Sequence, residues 1–215
     1  MRGTETPTVE VFADIWCPFT HVGLRALAAE RSRRGRPDVA IHVRSWPLEL
    51  VNGAPLNATV TKEHVDHLRE QVAPDLFRRF NPDRFPTSTL NALALVVRAH
   101  RVDPNLGERA SFVLRDALFE QGLDISDRVV LEEIANDLGV TMPESSDHEQ
   151  VIADWQEGQQ RGVLGSPHFF CGANDAFCPS LDITKDPRHG VSMTRDASHL
   201  MQFLERCLER HASTS

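Results

Sequence analysis

The sequence predicts an α/β protein built on one mixed sheet, in the order β-α-β, a helical block, then β-β-α. Three observations carry this expectation. Strand-like alternation is confined to the first 58 residues and to the last quarter of the chain. The stretch from about 61 to 139 repeats apolar residues at helical spacing instead. Neither flank is long enough to bury a core alone, so the two must share a sheet. Residues 1–60 and 150–215 are therefore expected to form one domain, with 61–149 inserted as an all-helical one.

The elements follow in order. VEVFADI (9–15) alternates apolar and polar positions and reads as a strand. Trp16, Cys17 and Pro18 come next, then a helix with Val22, Leu24, Leu27 and Ala28 on its apolar face. Proline suits the first helical turn, where its missing N–H would be unpaired anyway. The basic run 31–36, with Gly35 and Pro37, ends that helix and is expected to be a solvated terminus that complements the dipole. VAIHVRSW (39–46) is the second strand, closed by Pro47 and the Asn52-Gly53 pair. Four helical faces then follow: Val65, Leu68 and Val72; Leu90, Leu93, Ala94 and Val97; Phe112, Leu114, Leu118 and Phe119; and Leu131, Ile134, Ala135 and Leu138 before Gly139. Ser146 and Glu149 have capping-box spacing and open a helix that stops at Gly162. HFFCG (168–172) and DAFCPSLDI (175–183) flank Ala173-Asn174 and read as a hairpin, followed by a polar loop. The last helix, 197–211, carries Leu200, Phe203, Leu204, Cys207 and Leu208 on one face.

Composition narrows the class of function. The 215 residues are 40% hydrophobic and 25% charged, which excludes collagen-like, wholly disordered and disulfide-dense chains. Acids outnumber bases 31 to 23, a formal net charge of −8, so a nucleic-acid partner is not expected. No apolar run approaches the ~20 residues that span a bilayer. The opening MRGTETPTVEVFADIW has no apolar h-region and does not read as a secretory signal. The expectation is a cytoplasmic protein with reduced thiols and no membrane partner.

Cys17 is the sharpest chemical feature. A thiol between a strand and a proline-led helix faces unpaired N–H groups and the positive end of the dipole. Cysteines so placed have pKa values of ~3.5–7.5 rather than ~8.5. The plain alternative is a small buried hydrophobe at a strand end. Thr20 lies three residues on, on the same helical face, where its hydroxyl either donates to the thiolate or is an ordinary helix-start threonine. Ser166-Pro167 precedes an apolar strand and is a candidate cis bond. Cys171 and Cys178 flank the expected turn, where they would pack, bridge or bind metal; metal needs further ligands, and His168 is the only nearby candidate. The returning strand would bring Cys178 closer to Cys17 than Cys171 comes, as a candidate resolving thiol. Cys207 reads as core. His21 and His168 could each move a proton or pair with a thiolate, although a solvated or helix-packed ring is the favoured reading of His21 and an equal one for His168. His64 and His67 read as surface.

Four segments, FADIWCPFTHVG (12–23), SWPLELVNGAP (45–55), 87–139 with its ALFEQGLDIS (117–126), and GVLGSPHFF (162–170), occur in an order that resembles the DsbA-like branch of the thioredoxin superfamily. The resemblance is nearest to its FrnE-type and 2-hydroxychromene-2-carboxylate isomerase-like members. It implies a thioredoxin-like fold with a helical insertion, Cys17 as the nucleophile, and Pro167 as the cis-proline beside it. That family commonly reads D-x-x-C-P-W-C-x-x-G, whereas Thr20 here takes the place of the second cysteine. An ordinary dithiol cycle within the motif is therefore closed to this chain. Three chemistries are left: monothiol exchange through a mixed disulfide; small-thiol-dependent isomerase or transferase work, in whose relatives serine often stands at the position of Cys17; and binding without catalysis. The resemblance further implies a transient site for a small thiol such as glutathione or mycothiol, with Pro18, Ser166, His168 and Asp182 as its contacts and no permanently bound cofactor or metal. Asp182, in a loop with Lys185 and Arg188, would hold an ammonium group if it is not simply solvated. The partner expected is a small thiol or disulfide, and a homodimer is left open.

Overall fold

The structure is a computed structural model that describes residues 7–186 and 190–213, with side chains described for 7–184 and 192–208. Strand β1 (Thr8–Ala13) lies inside a four-stranded sheet. It pairs in parallel with β2 (Ala40–Ser45) and antiparallel with β3 (His168–Cys171), which pairs antiparallel with β4 (Asn174–Phe177), giving the order β2-β1-β3-β4. Helix α1 (Pro18–Arg33) joins the parallel pair, and α8 (Ala197–Ser213) closes the described chain. This is the β-α-β and β-β-α arrangement that alternation predicts.

Strand β1 is buried on both faces, and its period of two sorts the core into two layers. Val9, Val11 and Ala13 pack with Leu24 and Leu27 of α1 and with Leu200, Phe203 and Leu204 of α8. Phe12 points the other way, into Trp46, Val163 and Phe170. Between the two halves of the sheet the chain forms α2 (Leu48–Asn52), α3 (Ala58–Gln71), a 3-10 turn (Pro82–Arg84), α4 (Leu90–Val102), α5 (Pro104–Phe119), α6 (Arg128–Leu138) and α7 (Ser145–Gln160). Their apolar faces make one cluster that is continuous with Ile15, Trp16 and Val22 beside the sheet. Gly139 ends α6 with φ 71°, the left-handed position that a helix-terminal glycine fills without strain.

Three local expectations are corrected. The capping box that opens α7 is Glu144 with Asp147, not Ser146 with Glu149. Asp147 reaches back to the Glu144 N–H at 2.8 Å and also takes Arg101, so a tertiary ion pair selects the frame. The short α2 follows Pro47, where only a closing turn is expected. The strand expected over 175–183 is broken. Cys178 takes a left-handed φ of 45° and the chain leaves the sheet. Pro179 has no N–H with which to continue a ladder. Beyond it, β5 (Leu181–Asp186) and β6 (Gly190–Arg195) form a separate two-stranded sheet where a polar loop is expected. Cys171 therefore faces Asn174 in the β3–β4 register, and Cys171 and Cys178 do not oppose each other.

Between β2 and α4, the rings of His42 and His100 stack with centroids 3.8 Å apart and planes 4° apart. Burial, then the neighbouring His100 charge, pushes His42 down to about 4, and burial lowers His100 as well. A base with a depressed folded pKa contributes stability that is whole above its unfolded value of ~6.5 and is lost as the pH falls towards 4. The unfolding free energy should therefore drop across this window, with His42 alone contributing at most about 1.4 kcal/mol per pH unit. In His42→Gln the acid limb of a denaturation-versus-pH series should flatten. An unchanged slope would mean that the stack carries no linked proton.

Candidate functional site

The site lies where β1 hands over to α1. Cys17 is the N-cap residue of α1, with Pro18 at the first helical position, no side-chain cap bond and no acid in the first turn. The first-turn N–H groups of a helix have no intrahelical partner, and the Cys17 side chain does not cap them. Opposite, the Ser166–Pro167 peptide is cis, and the Cys17 Sγ donates to the Ser166 carbonyl at 3.1 Å. The Ser166 hydroxyl accepts the Asp14 N–H at 2.9 Å and shares a hydrogen bond with the Thr20 hydroxyl at 2.7 Å. One serine thus ties together the end of β1, the first turn of α1 and the loop before β3.

Cys17 is only 4% exposed. Burial pushes its thiol above the ordinary value, while hydrogen bonds from Thr20 and Ser166 and the Arg115 guanidinium pull the other way. The expected accessible, acidified thiol is corrected accordingly: desolvation of the thiolate outweighs the helix terminus in the resting protein. Cys178, on the link between β4 and β5, lies against the cis-proline loop. Its N–H donates to the Pro167 carbonyl at 3.0 Å, next to the carbonyl that holds Cys17. Burial, and then the charge of Cys17, push the Cys178 thiol up to about 12. Cys171 packs instead in the core layer that includes Cys207 and the α8 residues. All four cysteines are buried.

The other sequence candidates fall into two groups. His21 is buried with its Nε2 2.8 Å from Glu120, whose carboxylate also takes the Phe77 N–H. It is committed to α5 and not to the sulfur. His168 uses both ring nitrogens, one on the Leu164 N–H at 3.1 Å and one on Asp175 at 3.0 Å, so it braces the cis-proline loop. Asp182 is exposed on β5 and, among the described residues, shares no hydrogen bond or ion pair with Cys17, Thr20 or Ser166. The Lys185 side chain and Arg188 lie outside the described residues. His64 is half-buried against Phe19, 5.1 Å between rings, and His67 is half-buried too, so neither is the open surface residue expected. Among the described residues no group of three or more His, Cys, Asp or Glu is placed to hold a metal. At the far end of α1, a cavity of about 470 Å³ is lined by Arg31, Arg36 and Arg109. Arg31 is taken there by Glu108 and Arg36 by Asp38.

Two site residues escape a motif-based reading. Asp14 is fully buried; burial raises its carboxyl to about 6, against the hydrogen bonds it accepts from Leu48 and Trp16 N–H groups. Arg115 is fully buried as well, and its Nη1 donates to the Asp14 carbonyl at 2.6 Å. The spacing did hold a signal for it. Ser111, Leu114, Arg115 and Leu118 recur at helical intervals, which places the arginine on the buried face of α5.

A cysteine at a helix N-cap position against a cis-proline loop, in a sheet of this topology, defines a thioredoxin-fold protein. A family model described as a DSBA-like thioredoxin domain matches residues 8–185, and the chain belongs to that family. Solved structures agree on the fold. A probable DsbA oxidoreductase from Streptomyces coelicolor is similar at 19% identity and TM-score 0.69, over 94% of this chain and 90% of that one. A 2-hydroxychromene-2-carboxylate isomerase is similar at 14% identity and TM-score 0.60, over 97% and 99%. The cytosolic disulfide reductase DsbM from Pseudomonas aeruginosa is similar at 16% identity and TM-score 0.55, over 97% and 100%. No curated protein sequence matches the chain significantly. Among the described residues no helix is long and apolar enough to cross a membrane.

Proposed function

We propose that the protein is a thiol–disulfide oxidoreductase that works through Cys17 as the only thiol of its motif. The observation that carries this reading is the placement of the Cys17 sulfur at the uncapped start of α1, against the Ser166 carbonyl, with Thr20 where a partner cysteine would sit. The Cys17 thiolate attacks one sulfur of a disulfide, and the other sulfur leaves as a thiolate. A second thiol then attacks the mixed disulfide, which restores the Cys17 thiolate and releases a new disulfide. The resolving thiol is a small one such as glutathione or mycothiol, in a reducing, cytoplasmic setting. Burial supports a small reactant, because a cysteine only 4% exposed is reached by a slim disulfide sooner than by a folded protein.

Incubation with oxidised glutathione, followed by peptide mass analysis, tests the reading. The expected product is a glutathione adduct on Cys17 that reduced glutathione removes. An unmodified Cys17 in a protein that still binds reduced glutathione would favour the isomerase or transferase alternative. An unmodified Cys17 with no binding would favour a non-catalytic role.

A further inference from the structure

The site contains a buried cation that the exchange scheme leaves unused. Arg115 has no exposed surface; Nη1 is bonded to the Asp14 carbonyl, while Nε and Nη2 have no partner. No carboxylate forms an ion pair with it among the described residues. The carboxylate of Asp14, whose carbonyl takes Nη1, accepts instead from the N–H groups of Leu48 and Trp16. A buried guanidinium with two idle donors is a costly arrangement, and it calls for an anion. The Asp14 carbonyl that accepts Arg115 also accepts the Cys17 N–H at 3.5 Å, so the guanidinium and the cysteine backbone meet at one oxygen. The second observation is the start of α1, a 16-residue helix whose N-cap side chain makes no cap bond.

We infer that Arg115 is the counter-charge of the Cys17 thiolate, a positioning residue that reaches the nucleophile from α5 and offsets the cost of ionising a buried thiol. The inference rests on the exchange reading and assigns the source of the thiolate's stability. Loss of the proton from Cys17 gives the idle guanidinium its anion. Formation of the mixed disulfide neutralises the sulfur and leaves Arg115 unpaired again, so the arginine also makes Cys17 the better leaving group when a second thiol attacks. The charged and titratable groups that bear on the pair are Asp14 from the end of β1, Asp116 beside Arg115 on α5, and Cys178 from the link between β4 and β5. Burial lowers Arg115 to about 10, against the charges of Cys17, Asp14 and Asp116, so it stays cationic at neutral pH.

The test is the pH profile of alkylation at the Cys17 peptide, read by mass spectrometry, in the wild type and in Arg115→Met. The expected result is a midpoint at least one pH unit higher in the variant, a tenfold loss of thiolate on the acid side. A merely structural arginine would change rates without moving the midpoint, and a folded variant with an unmoved midpoint overturns the inference. If Arg115→Met fails to fold, Cys17→Asp and Cys17→Asn, both with Arg115 in place, decide it. The carboxylate variant should be the more heat-stable of the two at pH 7 and should lose its advantage as the pH falls. A Cys17→Asp protein less stable than Cys17→Asn at neutral pH overturns the inference. The two readings fail separately: disulfide exchange that persists with an unmoved midpoint removes only the role of Arg115, whereas a shifted midpoint with no glutathione adduct removes only the exchange reading.

Discussion

Cys17→Ser should reduce disulfide exchange by at least about a thousandfold, ~4 kcal/mol of barrier, because a hydroxyl neither ionises in this pH range nor attacks disulfide sulfur. The same substitution should leave the fold at least as stable. Cys17 is the N-cap of α1 and makes no cap hydrogen bond. Serine is among the preferred residues there, since its oxygen accepts an N–H of the first turn, an effect of about 1 kcal/mol. Activity and stability are thus expected to move in opposite directions, a pattern that general damage to the site cannot produce. Exchange with a small aromatic disulfide, followed by absorbance, and thermal unfolding of the same sample measure the two quantities. Residual exchange within tenfold of the wild type would transfer the chemistry to another thiol, with Cys178 first in line by position.

Phe12→Ala should destabilise the protein by about 3–5 kcal/mol, a large part of the 5–15 kcal/mol that holds a typical domain together. Phe12 is fully buried in the central strand and meets Trp46 and Phe170 edge-on, with ring centroids 6.5 and 5.6 Å away. The guanidinium carbons of Arg44 and Arg161 lie 5.3 and 5.2 Å from its centroid. Truncation would open a cavity and remove the ring over which both cations lie. The space cannot close easily from the α7 side, because Gly158 is already so near that a Cβ there would come within 2.6 Å of Trp46 and 3.1 Å of Phe12. Chemical denaturation measures the loss, and a change below about 1 kcal/mol would mean that the layer repacks freely.

Much of the fold can be read from short-range pattern alone. VEVFADI alternates because Val9, Val11 and Ala13 face the layer of α1 and α8 while Glu10 on the other face is only half-buried, and the apolar spacing of α4 to α6 marks the sides that meet in one cluster. The Cys17-Pro18 helix start and the Ser166-Pro167 loop can likewise be picked out as local chemistry. The break at Cys178 cannot. Alternation runs through 175–183 without showing that its two halves pair with different strands, β3 and β6. The capping frame of α7 was also illegible, because Arg101 from α4 helps choose Asp147 over the hydroxyl frame. For His21 the sequence favours a solvated or helix-packed ring over a thiol partner, and only the fold shows that the packing partner is Glu120, the C-cap of α5.

What the sequence determined by itself is the inventory and its order: one thiol at the start of a helix, a threonine where a second thiol would close a dithiol cycle, and a proline loop to face them. Each of these is a property of neighbours along the chain. Tertiary structure alone decided how that thiol ionises. The free energy of a charge depends on the water it has lost and on the charges around it. Here burial beneath the Ser166 loop raises the thiol and outweighs the hydrogen bonds of nearby Thr20, those of distant Ser166 and the guanidinium of Arg115 on α5.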